Sequence, residues 1–235
     1  IGDVVTVRKA GDIIPEVLCV NEKHSDGSFV YPDICPSCHE KVIRENGEVD
    51  IRCINPECPA QLLRNLIHFC SRDAMDIEGL GPSIIETFVN EGMINKVTDI
   101  YHLDKDKIAS LDGFKETSAN NIIASVENSK NNDLGELIFA FGIRHIGAKA
   151  GKLLADEFKN IDNIINASRE AILDIDGYGD IMADAVYDFF HTENAIELVN
   201  ELKAVGVNMQ SKTVVVDKRF DGMTFVLTGT LPTYK

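Results

Sequence analysis

The chain has 235 residues, 44% of them hydrophobic, which is enough for real cores in one or two ordinary domains or in several small ones. No stretch approaches ~18 consecutive apolar residues and no N-terminal targeting pattern is present, so nothing suggests a membrane span or export, and a soluble, cytoplasmic protein is expected. The formal net charge of −15 argues against a surface that attracts nucleic acid everywhere, so any phosphate-binding role has to be local.

In chain order, Ile1 to Val7 has a strand pattern with no structure before it, as expected of a fragment. Arg8-Lys9-Ala10-Gly11-Asp12 reads as a basic turn, Ile13 to Val20 resumes strand character, and Asp26-Gly27 reads as a hairpin turn before Phe29-Val30. These strands are too few to close a core alone and would suit the end of a small β-barrel. Next come Cys35-Pro36-Ser37-Cys38 and Cys53-Ile54-Asn55-Pro56-Glu57-Cys58, fourteen residues apart. Between them Lys41 to Glu45 and Glu48 to Arg52 flank Asn46-Gly47, a strong hairpin signal that would return the second pair beside the first. Four thiolates can then surround one tetrahedral Zn²⁺, whose binding supplies folding energy to a segment too small for a core. Two disulfides would need an oxidising compartment, for which the sequence has no signal, whereas iron held by four thiolates fits the same spacing. His39 is read as a bystander, and Cys19 and Cys70 as ordinary small apolar residues.

Pro59 to Arg72 reads as a helix with Leu62, Leu63, Leu66, Ile67 and Cys70 along one face. A short phrase then recurs four times: Ile77-Glu78-Gly79-Leu80-Gly81, Leu111-Asp112-Gly113-Phe114-Lys115, Ile143-Arg144-His145-Ile146-Gly147 and Ile175-Asp176-Gly177-Tyr178-Gly179, with first residues 34, 32 and 32 apart. A fixed period of this size signals a repeated supersecondary unit. Each phrase opens a segment of helical spacing, with Ile85, Ala119, Gly151 and Ala183 four positions past it and Phe88, Ile122, Leu154 and Val186 seven past it. Paired glycines followed by a helix N-terminus aim backbone amides outward, a device for anions that, applied four times, suits a polymer of phosphates. The units resemble helix-hairpin-helix modules, which grip nucleic-acid backbones without reading bases. The alternative is four Gly-terminated helical hairpins that only pack on one another.

The charge is unevenly placed. Phe139 to Ala155 holds Arg144, His145, Lys149 and Lys152 with no acid, whereas Asp156 to Glu201 holds twelve acids and two bases. The third phrase is therefore the most basic and the fourth is ringed by Asp174, Asp176 and Asp180. In the second, Lys115 replaces the final glycine and puts a cation at the phosphate position. His191 to Gly206 continues helical, Val207 to Phe220 loses helix periodicity and reads as linker, and Gly222-Met223-Thr224-Phe225-Val226-Leu227-Thr228-Gly229 reads as strand then turn.

Lys-Ala-Gly-Asp-Ile-Ile-Pro at 9 to 15, the four-cysteine knuckle running into Pro59-Ala60-Gln61, the four units with Gly142 to Gly147 and Lys115 to Asn121, and the stretch 222 to 229 together resemble the C-terminal half of the bacterial NAD-dependent DNA ligase family. The resemblance implies a multidomain, mainly α helix-hairpin-helix array preceded by a partial, OB-like β-barrel and a four-cysteine zinc finger. The implied parts are 1–32 (end of an OB-fold), 33–64 (zinc finger with following helix), 65–206 (four helix-hairpin-helix repeats), 207–219 (linker) and 220–235 (start of a BRCT domain).

It also implies a function, clamping nicked double-stranded DNA in an enzyme that seals 5′-phosphate to 3′-hydroxyl in replication and repair. Its NAD and Mg²⁺ are bound outside this chain, and the protein is expected to be a monomer. The family's nucleophile lies in Lys-x-Asp-Gly, and none of the fifteen lysines here has Asp-Gly at the second and third following positions, so no catalytic residue is expected in this chain. Expected zinc ligands are Cys35, Cys38, Cys53 and Cys58. Expected DNA contacts are Lys9, Ile13 and Ile14, the isoleucines facing the minor groove, with Gly79, Gly81, Gly113, Lys115, Arg144, Gly147, Lys149, Gly177 and Gly179. From the residues alone, Ile13 and Ile14 are equally well read as strand core. The competing reading is a stand-alone zinc and helix-hairpin-helix module that recruits a partner protein or anchors a repair nuclease.

Overall fold

A computed structural model of the chain describes residues 1–11, 13–44, 49–55 and 58–213. The Asn46-Gly47 turn and everything from 214 onward, including the end of the expected linker and the expected BRCT start, lie outside the described residues. The chain divides into two units, Ile1–Leu62 and a second from Leu63 onward.

The first unit begins with an antiparallel hairpin of β1 (Val4–Ala10) and β2 (Ile14–Glu22), paired from Val4↔Glu22 to Ala10↔Ile14 with irregularities after Val4 and after Thr6. The turn expected at Arg8–Asp12 comes later, because Arg8, Lys9 and Ala10 are still paired in the strand and Gly11 takes φ 63°. Asp26-Gly27 does turn, with the Ser28 amide donating to Asp26 Oδ1 at 2.9 Å, but no strand follows at Phe29-Val30. The second hairpin expected there is therefore not formed. β2 is exposed along its whole length, since two strands without a second layer bury neither face. No barrel closes among the described residues. The start of β1 is tied down by Asp3, whose carboxylate accepts from the His24 and Ser25 amides at 2.7 and 2.6 Å.

The knuckle follows. β3 (Val42–Ile43) and β4 (Arg52–Cys53) pair antiparallel with Val42 opposite Cys53, which is the return expected from the sequence. Helix α1 (Pro59–Cys70) starts directly after Cys58 and buries Leu66, Phe69 and Cys70, ending two residues before the expected Arg72.

From Leu63 the second unit is helical. After α1 come α2 (Pro82–Asn90), a 3-10 helix (Val97–His102), α3 (Lys105–Ser110), α4 (Glu116–Ser129), α5 (Leu134–Ala140), α6 (Ala148–Phe158), α7 (Ile161–Ile165), α8 (Arg169–Leu173), α9 (Asp180–Phe190) and α10 (Glu193–Ala204). All eight residues assigned by periodicity to the inner faces of α2, α4, α6 and α9 are buried, from Ile85 and Phe88 to Ala183 and Val186. Large and small residues alternate there so that helices approach closely, most of all where Gly151 of α6 meets Gly135 of α5. Residues 207–213, expected as linker, form no helix or strand but lie hydrogen-bonded on this unit.

Candidate metal centre and nucleic-acid interface

The Sγ atoms of Cys35, Cys38, Cys53 and Cys58 all lie within 4.8 Å of one another, with Cys35–Cys58 at 3.8 Å and Cys38–Cys53 at 3.4 Å. A tetrahedron of ~2.3 Å metal–sulfur bonds has edges of about 3.8 Å, so the set fits one Zn²⁺. The same separations are far beyond a sulfur–sulfur bond, and all six cysteines are free, which removes the disulfide reading.

Local backbone prepares the thiolates. The amides of Cys38 and Ser37 hold the Cys35 thiol below its usual range, and those of Gln61 and Ala60 bring Cys58 down to about 7. At Cys53 the Asn55 amide acts in the same direction. Burial and the neighbouring thiols outweigh it and push Cys53 up to about 12. His39 stands outside the group at φ 61° and donates its amide to Cys35 O, so it serves the turn. Cys70 is buried and its thiol is pushed up to about 12 by burial, in keeping with an apolar role, whereas Cys19 is exposed. Among the described residues of Ile1–Leu62, Cys35 and Cys58 are the only buried apolar side chains. A knuckle with no other core depends on its metal.

The four phrases fold in the same way. In each, the amide of the fourth residue donates to the carbonyl of the first: Leu80 to Ile77 at 3.2 Å, Phe114 to Leu111 at 3.1 Å, Ile146 to Ile143 at 3.1 Å and Tyr178 to Ile175 at 3.0 Å. The third residue has positive φ in every copy, 88° at Gly79, 84° at Gly113, 65° at His145 and 89° at Gly177. That combination is the type II turn, which explains the glycine at this place and makes His145 the strained member. The fifth residue, Gly81, Lys115, Gly147 or Gly179, is extended and immediately precedes α2, α4, α6 or α9.

Capping separates these helices from their neighbours. α3, α5, α7, α8 and α10 each begin on a side chain that accepts from a first-turn amide: Asp104, Asp133, Asn160, Ser168 and Thr192. None of α2, α4, α6 and α9 has such a cap on its N-cap side chain, although at α4 the Ser118 hydroxyl accepts from the Lys115 amide at 3.0 Å. A helix start with no side-chain acceptor leaves its amides for solvent or an anion. The signal was legible in the sequence as the missing Ser, Thr, Asp or Asn, although the sequence reading did not use it.

Surroundings differ. At the third turn His145, Gly147 and Lys149 are exposed and Arg144 is half-buried. At the fourth, Asp180 occupies the first helical position, and Arg169, which sequence reasoning passed over, bonds Asp180 at 2.8 Å and Asp184 at 2.5 Å. At the second, Lys115 is exposed and the adjoining Glu116 is paired with Lys105 at 3.2 Å. Gly79, Gly81, Gly113, Gly177 and Gly179 are also exposed. In the first unit Lys9 lies near the tip of the β1–β2 hairpin, and Ile13 and Ile14 beside it are 83% and 71% exposed, as is the whole of β2.

Three segments match known families: residues 35–60 the NAD-dependent DNA ligase C4 zinc finger domain, 71–128 the SAM-like helix-hairpin-helix tandem, and 136–199 the helix-hairpin-helix motif. The chain is 48% identical to a DNA ligase of Acetivibrio thermocellus and 47% identical to one of Clostridioides difficile, in each case over 100% of this chain and 36% of the relative. A DNA ligase of Bacillus subtilis is 45% identical over 97% of this chain and 36% of its own length. The chain thus spans about a third of the length of the curated relatives it matches. No helix among the described residues is long and apolar enough to cross a membrane.

Proposed function

The chain belongs to the NAD-dependent DNA ligase family, and on that basis we propose that it is the part of the enzyme that holds nicked duplex DNA while sites outside this chain perform the sealing. The observation that carries this reading is the contrast in capping: four matching type II turns lead into helices without side-chain caps, whereas five other helices of the same unit are capped. Backbone amides at a helix start recognise phosphate without reference to base, as a ligase acting on any sequence requires.

In this reading the third hairpin dominates, through Arg144, Lys149 and the amides after Gly147. The second contributes Gly113 and Lys115, the first Gly79 and Gly81, and the fourth, with Gly177 and Gly179, is a weaker, acid-masked copy. Lys9, Ile13 and Ile14 meet the duplex from the end of an OB-like barrel over 1–32, the apolar pair entering the minor groove. Zn²⁺, when bound at Cys35, Cys38, Cys53 and Cys58, supplies a cross-link that replaces a core. The knuckle with its helix covers 33–64 and the repeats 65–206, to which 207–213 are bonded, and the rest of 207–219 is linker, with the start of a BRCT domain over 220–235. NAD and Mg²⁺ act in the parent enzyme through residues not in this chain, which alone forms no lysyl-AMP. The parent works as a cytoplasmic monomer in replication and repair. Relatives aligned over the whole chain are DNA ligases, which favours this reading over a stand-alone module.

The test is binding to nicked duplex as a function of salt. Arg144→Ala with Lys149→Ala should weaken binding with little sequence dependence and flatten the salt slope by up to about two. An unchanged slope overturns the third-hairpin grip.

A further inference from the structure

Helix α10 is bonded on opposite sides. Its Glu201 accepts from Lys96 Nζ and, at 2.7 Å, from the buried Thr98 hydroxyl, both at the start of the 3-10 helix that lies between the first and second hairpins. Lys203 donates to Asp162 Oδ1 of α7, between the third and fourth hairpins, at 2.5 Å. Residues two apart on a helix point roughly 200° apart, so α10 stands between the two pairs of hairpins.

The segment that follows α10 continues this pattern. α4 ends at Ser129 and α5 begins at Leu134, leaving residues 130–133 as the junction between the pairs. Every residue of that junction accepts a hydrogen bond from this segment. Asn208 donates its amide to Lys130 O and its Nδ2 to Asn132 O, both at 2.8 Å. Lys212 donates its amide to Asp133 Oδ2 at 2.5 Å and its ammonium to Asn131 O. On the other side Ile161 donates to Met209 O at 3.0 Å, Ser211 donates to Lys159 O at 2.8 Å, and the Ser211 hydroxyl donates to Asp156 Oδ1 at 3.3 Å.

We propose that residues 193–213 are a clasp that holds the first pair of hairpins in register with the second, and that Glu201 and Asn208 are positioning residues for duplex binding. The second part rests on the DNA-holding reading above. Fixing two weak sites at one spacing makes the second contact intramolecular, so the clasp contributes affinity only on a duplex long enough to reach both pairs.

The experiment uses the full, zinc-loaded chain carrying Cys19→Ser, with spin labels at the exposed positions Asn120 and Asp188 on α4 and α9. It compares the otherwise unaltered protein with Glu201→Gln/Asn208→Ala and with the single Asn208→Asp, which replaces the Nδ2 donor by a charged oxygen facing Asn132 O. A single narrow label-to-label distance should broaden in both variants. A distribution that stays narrow in both overturns the clasp, and this readout needs no DNA. On nicked duplex the double variant should lose about tenfold in affinity for a long duplex and nothing for one reaching a single pair. Equal losses on both lengths overturn the positioning role and point to general loosening. Failure of the unaltered protein to bind either duplex refutes the DNA-holding reading and with it the positioning role, leaving the clasp itself to the distance measurement.

Discussion

A β-carbon added to Gly151 would lie 2.9 Å from the carbonyl oxygen of Gly135 and 3.3 Å from the amide nitrogen of Phe139, so α5 and α6 meet backbone to backbone just behind the third hairpin. Gly151→Ala gains about 1 kcal/mol of helix propensity but forces the helices apart. The expected net result is a loss of about 1–3 kcal/mol, read as a lower denaturant midpoint with an unchanged slope. A midpoint at or above that of the unaltered chain would contradict the close packing.

The turn glycines should grade by what surrounds them. Gly113 has positive φ but open space, so Gly113→Ala should cost about 1–2 kcal/mol from backbone strain alone. Gly79 has the same φ region and would also place its β-carbon 2.9 Å from Ile122 Cγ1, so Gly79→Ala should cost at least about 1 kcal/mol more. Thermal melts of both variants check the order.

Metal analysis should find about one zinc per chain, lost in Cys53→Ser and retained in Cys19→Ser and Cys70→Ser. Because ligand thiols must lose their protons, zinc should be released as pH falls. Chelation should unfold the knuckle while the helical signal of α2 to α10 persists, since their core contains none of the four ligands.

Removing charge at the fourth hairpin should not harm DNA binding. Asp180 at the first position of α9 is already half-neutralised by Arg169, and Asp176 lies in the turn itself. Asp176→Asn with Asp180→Asn is expected to leave the affinity for nicked duplex unchanged or tighter. Loss of binding in this pair, with Arg144→Ala/Lys149→Ala neutral, would place the grip on another face.

Glu201 provides a pH signature. The hydrogen bond from Lys96, then that from Thr98, holds its carboxylate below the ordinary range. A depressed folded value means that the contribution is complete above the unfolded pKa of ~4.3 and is lost as pH falls through the lower folded value. Relative to Glu201→Gln, the unaltered chain should therefore be more stable near neutrality, and the difference should shrink as pH falls below about 4. Taking the difference cancels zinc release, which is common to both proteins.

The knuckle, the four turns and the inner faces of their helices were all legible in the sequence, because each depends on residues close together in the chain. Two closely spaced cysteine pairs around a hairpin, a third-position glycine forced by a type II turn, and apolar residues four and seven past it state their own geometry. The basic third hairpin was located in the same way. Sequence reasoning went astray where the deciding partner was distant or one local signal competed with another. Phe29-Val30 has strand composition, yet the Asp26 side chain turns the chain through Ser28 and no strand forms.

It took the folded chain to reveal that Arg169 masks Asp180, that residues 207–213 fasten onto the junction at 130–133, and that Glu201 and Lys203 bind opposite neighbours. Such contacts join residues from 11 to 105 positions apart. A polar residue in an extended stretch has the same sequence signature whether it faces water or a carbonyl across the fold, and burial and distance alone tell the two apart.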